Sequence, residues 1–213
     1  MNARVRKVAG KHQQHTQQGE QQKQKLVDAA YDIIAERGFE GLRTRYVAMR
    51  AELNISTLHY YFESKEDLVR SVAQRLLSEF KTRRASREED SDVPSGPLEK
   101  LHAAVADQDA LIKVHPATYV VVNELFTRSL RDTKLRPVVQ ELLGQWEGHF
   151  KSLIEEGVRS GDIVPDSDAL VAARTLQCLM LGRSLLLLLK GENLPRDAMY
   201  GQLLRWLSPK KTH

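Results

Sequence analysis

Cysteine is almost missing: Cys178 is the single thiol in 213 residues. One cysteine excludes an intramolecular disulfide and a cysteine-built metal cluster. Aromatic residues make up only 6% of the chain, and no strand signal competes with helical periodicity. The seven prolines and twelve glycines fall mostly between periodic segments. No unbroken apolar run reaches the roughly 18 residues of a membrane span. The most apolar stretch, Leu176 to Leu189, is interrupted by Gln177, Gly182 and Arg183. Residues 1–22 are polar and lack the apolar segment of a signal peptide. These absences lead us to expect a soluble, cytoplasmic protein with no membrane partner. Catalytic signatures are missing as well. There is no Gly-rich phosphate loop, no Gly-x-Ser-x-Gly elbow, no His-Glu-x-x-His and no reactive Cys/His pair. Cys178 lies in an apolar stretch, which disfavours an activated thiolate. We expect no enzyme, no cofactor and no metal; His59 has no second His or Cys at ligand spacing.

What is present is charge, unevenly placed. Residues 1–50 hold ten Lys/Arg against five Asp/Glu, residues 51–95 seven against nine, and the remainder fifteen against fourteen. The positive excess therefore sits at the N-terminal end. A basic excess there suits phosphate neutralisation, although a solvated basic tail gives the same count. Residues 1–22, rich in Gln, Lys, Arg and His, read as a disordered arm. Its Arg4, Arg6, Lys7 and Lys11 either follow a phosphate backbone or do nothing.

The stretch from Gly38 to Leu68 carries the strongest pattern. A brace helix precedes it over about residues 21–37, with Leu26, Ala29, Ala30, Ile33 and Ile34 on one stripe, and Gly38 ends that helix. Tyr31 fits either its core side or a phosphate contact, the core side being favoured. A second helix starts near Thr44, read as its N-cap, with Val47, Ala48 and Ala51 on one face. Glu52-Leu53-Asn54 is a turn. Ile55 to Phe62 forms a third helix, with Leu58, Tyr61 and Phe62 spaced to pack. Ala48 allows close crossing and Leu53 plugs the gap. That is a helix-turn-helix, whose second helix enters the DNA major groove. Ile55, Ser56, Thr57, His59 and Tyr60 are left on its outer side, able to touch base edges, a thymine methyl or phosphate. Arg43, Thr44 and Arg45 gather at the start of the second helix, where free N–H groups favour phosphate. Ser64 and Asp67 have capping-box spacing and open a fourth helix that runs to about Arg87.

The residues Gly38-Phe39, Thr44, Val47-Ala48, Thr57-Leu58, Tyr61-Phe62, Lys65 and Leu68 resemble, without a gap, the DNA-binding domain of the TetR family of bacterial transcriptional repressors. The sequence departs from that pattern at Glu52 and Leu53, where the family usually has Gly and Val, and at His59, where it usually has Tyr. A positive φ at Glu52 carries strain on the order of 1 kcal/mol. The resemblance implies a transcriptional repressor that binds a palindromic operator as a homodimer and is released by a small-molecule effector. It implies that Lys65 meets DNA phosphate and that the Arg43–Arg45 corner contacts the duplex. A ligand-independent DNA-binding regulator tuned by a protein partner is the alternative.

The rest of the chain is helical. An acidic loop at 88–96 precedes helices over Pro97 to Val114, Pro116 to about Arg131, Leu135 to Arg159, which Gly161 ends, and 167–190, which Gly191 stops; Pro195 opens a last short helix to about Leu207. A helix as apolar as Ala169 to Leu189 cannot be solvated along a whole side, and its simplest cover is its own copy. The resemblance places the homodimer contact on residues 167–190 and 196–207. Helices 97 to about 160 and the end of the fourth helix enclose a possible ligand pocket. Its candidate lining is Phe80, His102, Tyr119, Asn123, Phe126, Trp146, His149 and Gln177, each of which also fits a plain core role. The expected architecture is all-α. An arm (1–22) leads into a three-helix DNA-binding domain (23–70, its fourth helix continuing to about 87). A helical bundle for effector binding and dimerisation (88–213) follows.

Overall fold

The computed structural model describes residues 3–88, 96–164, 168–190 and parts of 200–207, with side chains from Gln17 onward at most positions. Among the described residues the chain is all-helical: α1 (Ala3–Gly41), α2 (Thr44–Arg50), α3 (Ile55–Tyr61), α4 (Lys65–Glu88), α5 (Pro97–Val114), α6 (Pro116–Ser129), α7 (Arg136–Ser160) and α8 (Ala169–Lys190). Tyr200–Gln202, Arg205 and Leu207 are helical too. The acidic loop centred on 89–95 and the Gly191 and Pro195 signals lie outside the described residues.

The first helix differs from the sequence reading. Where residues 1–22 read as a disordered arm, α1 is helical from Ala3 onward. Gln, Lys, Arg and Ala are good helix formers, and extending an existing helix costs far less than nucleating one. The expected stripe is inside: Leu26, Ala29, Ala30, Ile33 and Ile34 are all buried. Gly38 breaks the helix with φ 62° and ψ −171°, a conformation open to glycine. Thr44 is the first residue of α2 rather than its cap. Arg43 takes the cap position, with extended φ −115° and ψ 133°, and no side chain closes it. Asn54, read only as part of a turn, caps α3: its Oδ1 accepts from Ser56 N–H at 2.9 Å. Glu52 does adopt positive φ, 55°.

The capping box at α4 is complete. Ser64 N–H donates to Asp67 Oδ2 at 3.1 Å, and Asp67 N–H donates to Ser64 Oγ at 3.1 Å. That hydrogen bonding, with Arg70 alongside, holds the Asp67 carboxyl below its ordinary range. At the other end of the chain Gly161, with φ 85°, closes α7 in the left-handed cap that glycine favours.

Two apolar cores result. The first joins α1, α2, α3 and α4 to Val121, Val122 and Leu125 of α6 and Val139 of α7. It therefore crosses the boundary expected between residues 70 and 88. Each fully buried leucine in it, such as Leu58 or Leu68, contributes about 1.5–3 kcal/mol. The second core gathers α5, α7, α8, Tyr200 and Leu207. Helix α8 is long and apolar enough to cross a membrane by length and composition, with mean hydropathy 1.4 over 21 residues. It packs chiefly on α7, and its inner stripe carries Gln177, Arg183 and Ser184 along with Ala173, Leu176 and Met180. Its outer side keeps Val171, Leu185, Leu186 and Leu189 exposed.

Candidate functional site

The α2–α3 pair is built from small and flat contacts. Ala48 is buried between the helices, and the turn closes on Leu53 N–H donating to Ala48 O at 2.9 Å. Leu53 packs against the first core. Burying Leu58 and Phe62 turns the opposite side of α3 outward. Ile55, Ser56, His59 and Tyr60 are exposed there and Thr57 is half-buried. Tyr60 is 81% exposed and stands edge-on to Tyr61, with ring centroids 5.0 Å apart. Tyr61 turns inward, and its hydroxyl donates to Gln22 Oε1 at 3.2 Å. Arg43 and Arg45 are exposed at the start of α2, with Thr44 half-buried between them. One surface thus presents donors, acceptors and cations on a rigid two-helix frame.

Lys65 is placed differently from its neighbours. It sits half-buried at the first turn of α4, and its Nζ donates to Phe39 O at 3.1 Å. Burial, then the Arg128 guanidinium nearby, push its ammonium below the ordinary lysine range. Its charge is thus tied to the backbone just after the Gly38 break. Arg50, which carried no sequence signal of its own, clamps α2 to α1. It donates to both carboxylate oxygens of Glu36, at 2.8 and 2.5 Å, and lies 3.5 Å from Asp32.

The second site is a cavity of about 1170 Å³ bounded by α4, α5, α6 and α7 and touched by Met180 of α8. It is larger than most small-molecule sites, which run to about 1,000 Å³. Phe80, Tyr119, Trp146 and His149 line it, with the Phe80 and Trp146 rings edge-to-face at 5.5 Å. The other four expected lining residues lie elsewhere. His102 borders a separate crevice of about 10 Å³ beside Tyr200 and Leu207. Asn123 is folded back on its own helix, donating to Tyr119 O at 2.7 Å. Phe126 packs against the first core. Gln177 donates to Leu143 O at 2.8 Å, bridging α8 to α7. Helical periodicity gives a residue's angle on its own helix but not which neighbour that angle meets, and these four fall outside the lining of this cavity. Tyr119 lies deep in the wall, where burial drives its phenol far above the ordinary range and the adjacent Gln108 amide offsets this only in part.

The family model for bacterial regulatory proteins of the tetR family matches residues 26–72. A second, for the C-terminal part of BetI-type transcriptional repressors, matches residues 97–208, more than half of the chain. The chain belongs to the tetR family. This tetR-family regulator is 26% identical over 151 residues to the fatty acid metabolism regulator protein of Bacillus subtilis (strain 168), covering 71% of this chain and 75% of that one. Among solved structures, a TetR-family transcriptional regulator from Agrobacterium tumefaciens superposes with a TM-score of 0.77 at 18% identity, over 90% of this chain and all of that one. The transcriptional regulator FadR from Bacillus subtilis, solved in complex with stearoyl-CoA, gives 0.71 at 23% identity, over 89% of this chain and 99% of that one. At such identities the structures show a shared fold. The tetR-family regulator is a DNA-binding transcriptional regulator, and its C-terminal half is of the repressor type.

Two features of this regulator escaped the sequence reading although signals were there. Asn54 directly before a helix is a standard cap. Gln108 stands at i+7 from Leu101 and i+3 from Val105, a polar residue on an apolar stripe.

Proposed function

We propose that this tetR-family regulator binds a palindromic operator as a homodimer, acts as a repressor in the cytoplasm, and is released by a small molecule entering the cavity between α4 and α7. In this reading Ile55, Ser56, Thr57, His59 and Tyr60 meet the major groove, while Arg43, Thr44, Arg45 and Lys65 meet phosphate. The observation that carries it is the outward face of α3, with Tyr60 81% exposed on a helix held from behind by Leu58 and Phe62. The exposed apolar side of α8 supports pairing through residues 167–190 and 196–207, because a second copy removes that surface from water. A pair presents two recognition helices to half-sites about one helical turn apart or a little more. The cavity supports the effector, and the FadR structure is that of a protein of this fold in complex with stearoyl-CoA. The test is to recover genomic fragments on the purified protein and sequence them. An enriched inverted repeat is expected; fragments with no palindromic enrichment defeat the reading.

A further inference from the structure

Gln108 occupies a position of α5 that helical geometry reserves for an apolar residue, between Val105 and Ile112, both buried. It is 6% exposed, its amide lies against the Tyr119 hydroxyl, and neither its Nε2 nor its Oε1 completes a hydrogen bond of ordinary geometry. Gln108 is among the residues that line the large cavity. Beside the amide is Tyr119, itself buried. Phe150, Leu153 and Met180 complete the inner wall with apolar surface. The lining cations Lys81, Arg83 and Lys100 are each paired with a glutamate. Arg83 donates to Glu79 at 2.9 Å, Lys100 to Glu156 at 3.4 Å, and Lys81 to Glu141 at 3.4 Å.

We propose that the cavity takes a neutral, mostly apolar ligand whose inner end carries a hydroxyl or a carboxamide, held by the Gln108 amide next to Tyr119. This rests on the effector reading above and names the class of its ligand. A buried amide whose hydrogen bonds are incomplete destabilises the empty protein, and a ligand group that both donates and accepts satisfies its two atoms together. A ketone satisfies Nε2 and leaves Oε1 unmet. A carboxylate meets the acceptor Oε1 with another acceptor, and the lining cations Lys81, Arg83 and Lys100 are each already paired with a glutamate. A quaternary ammonium neither donates to Oε1 nor accepts from Nε2. The volume beyond the amide, with Phe80 and Trp146 towards the α4–α7 side, suits a long or multi-ring apolar body.

The experiment compares four probes of one chain length by calorimetry, each below its micelle concentration: dodecanamide, 1-dodecanol, dodecanoate and dodecyltrimethylammonium. The amide and the alcohol are expected to bind at least tenfold more tightly than the two ions. In Gln108→Leu the amide is expected to lose at least tenfold in affinity and the ranking to collapse. The melting temperature of the unliganded variant is expected to rise, because two unmet polar atoms are gone. A glutamine that merely packs gives the opposite: a lower melting temperature and an unchanged ranking. The proposal is overturned if dodecanoate or the ammonium binds best, as the charged lining residues acting alone dictate, or if Gln108→Leu keeps the ranking. It also falls if none of the four binds. The effector reading falls only if, in addition, no member of a diverse compound library shifts operator binding. The wild-type ranking decides by itself should the variant fail to fold.

Discussion

The Tyr31 and Thr118 hydroxyls lie 2.9 Å apart, joining α1 of the DNA-binding head to the first turn of α6. The next residue along α6, Tyr119, lines the large cavity. Head and cavity thus meet across two consecutive residues of one rigid helix. The same seam holds the Arg128 guanidinium 3.5 Å from Glu66 and over the Phe39 ring at 5.7 Å. It also places Glu124 Oε1 3.2 Å from where a side chain on Gly38 would start. The Arg75 guanidinium covers the Tyr31 ring at 4.3 Å. Head and body are therefore joined through the α1–α6 seam as well as along α4.

That seam is testable by a double-mutant cycle. Tyr31→Phe, Thr118→Val and the pair together, measured by urea denaturation, are expected to show a coupling on the order of 1 kcal/mol. Strict additivity of the single variants removes the hydroxyl pair from the energetics of the seam.

Phosphate contact and base contact separate by salt dependence. Arg45→Ala is expected to weaken binding to every operator variant and to lower the salt slope by about 0.9, one phosphate's worth. His59→Ala is expected to leave the slope alone and alter which bases are preferred. Lys65→Ala is expected to do two things, because its Nζ also donates to Phe39 O. The slope falls by about the same amount, and the melting temperature falls with it. Fluorescence anisotropy across a salt series reads all three; an unchanged slope for Lys65→Ala leaves that residue as a backbone anchor only.

The proposed dimer pairs through the outer side of α8. Leu189 is 73% and Leu186 40% exposed in the single chain. A glutamate at either position is expected to raise the dimer dissociation constant by roughly tenfold or more, since a two-fold axis doubles each introduced charge. Sedimentation velocity over a dilution series checks it, and an intact dimer excludes the substituted residue from the interface.

The Ser64–Asp67 box gives a signed pH dependence. Its carboxylate has a lowered pKa in the folded chain, so its contribution is present above the ordinary Asp pKa and is lost as pH falls through the lowered one. Asp67→Ala is expected to cost about 1 kcal/mol at neutral pH. The gap to wild type is expected to close on acidification below the ordinary Asp range. Thermal melts at stepped pH measure it; a gap that stays constant assigns the loss to packing.

Glu52 holds φ 55° in the turn, a conformation that costs an L side chain on the order of 1 kcal/mol. Glu52→Gly is expected to recover most of that, read as a higher melting temperature with operator affinity kept. A lower melting temperature shows that the Glu52 side chain contributes more than its backbone costs.

Local chemistry was readable from the chain alone. Stripes such as Leu26–Ile34, the Ser64–Asp67 box, Gly38 and Gly161 as terminators, and the inward Leu58 and Phe62 depend on residues three or four apart, so the sequence specifies them directly. The helix-turn-helix was legible for that reason, and so was the all-α class. Thr44 was one position off as a cap because helix ends shift by a residue at little cost. The arm took helix where polarity suggested none, because propensity and propagation outweighed the lack of an apolar face. Tertiary structure alone decided which distant faces meet. Only packing puts Gln108 and Tyr119 into one wall, sends Phe126 and Gln177 to other neighbours, ties Lys65 to Phe39, and runs the head's core into α6. Those outcomes depend on angles between helices far apart in the chain, and residue spacing within one helix carries no record of them.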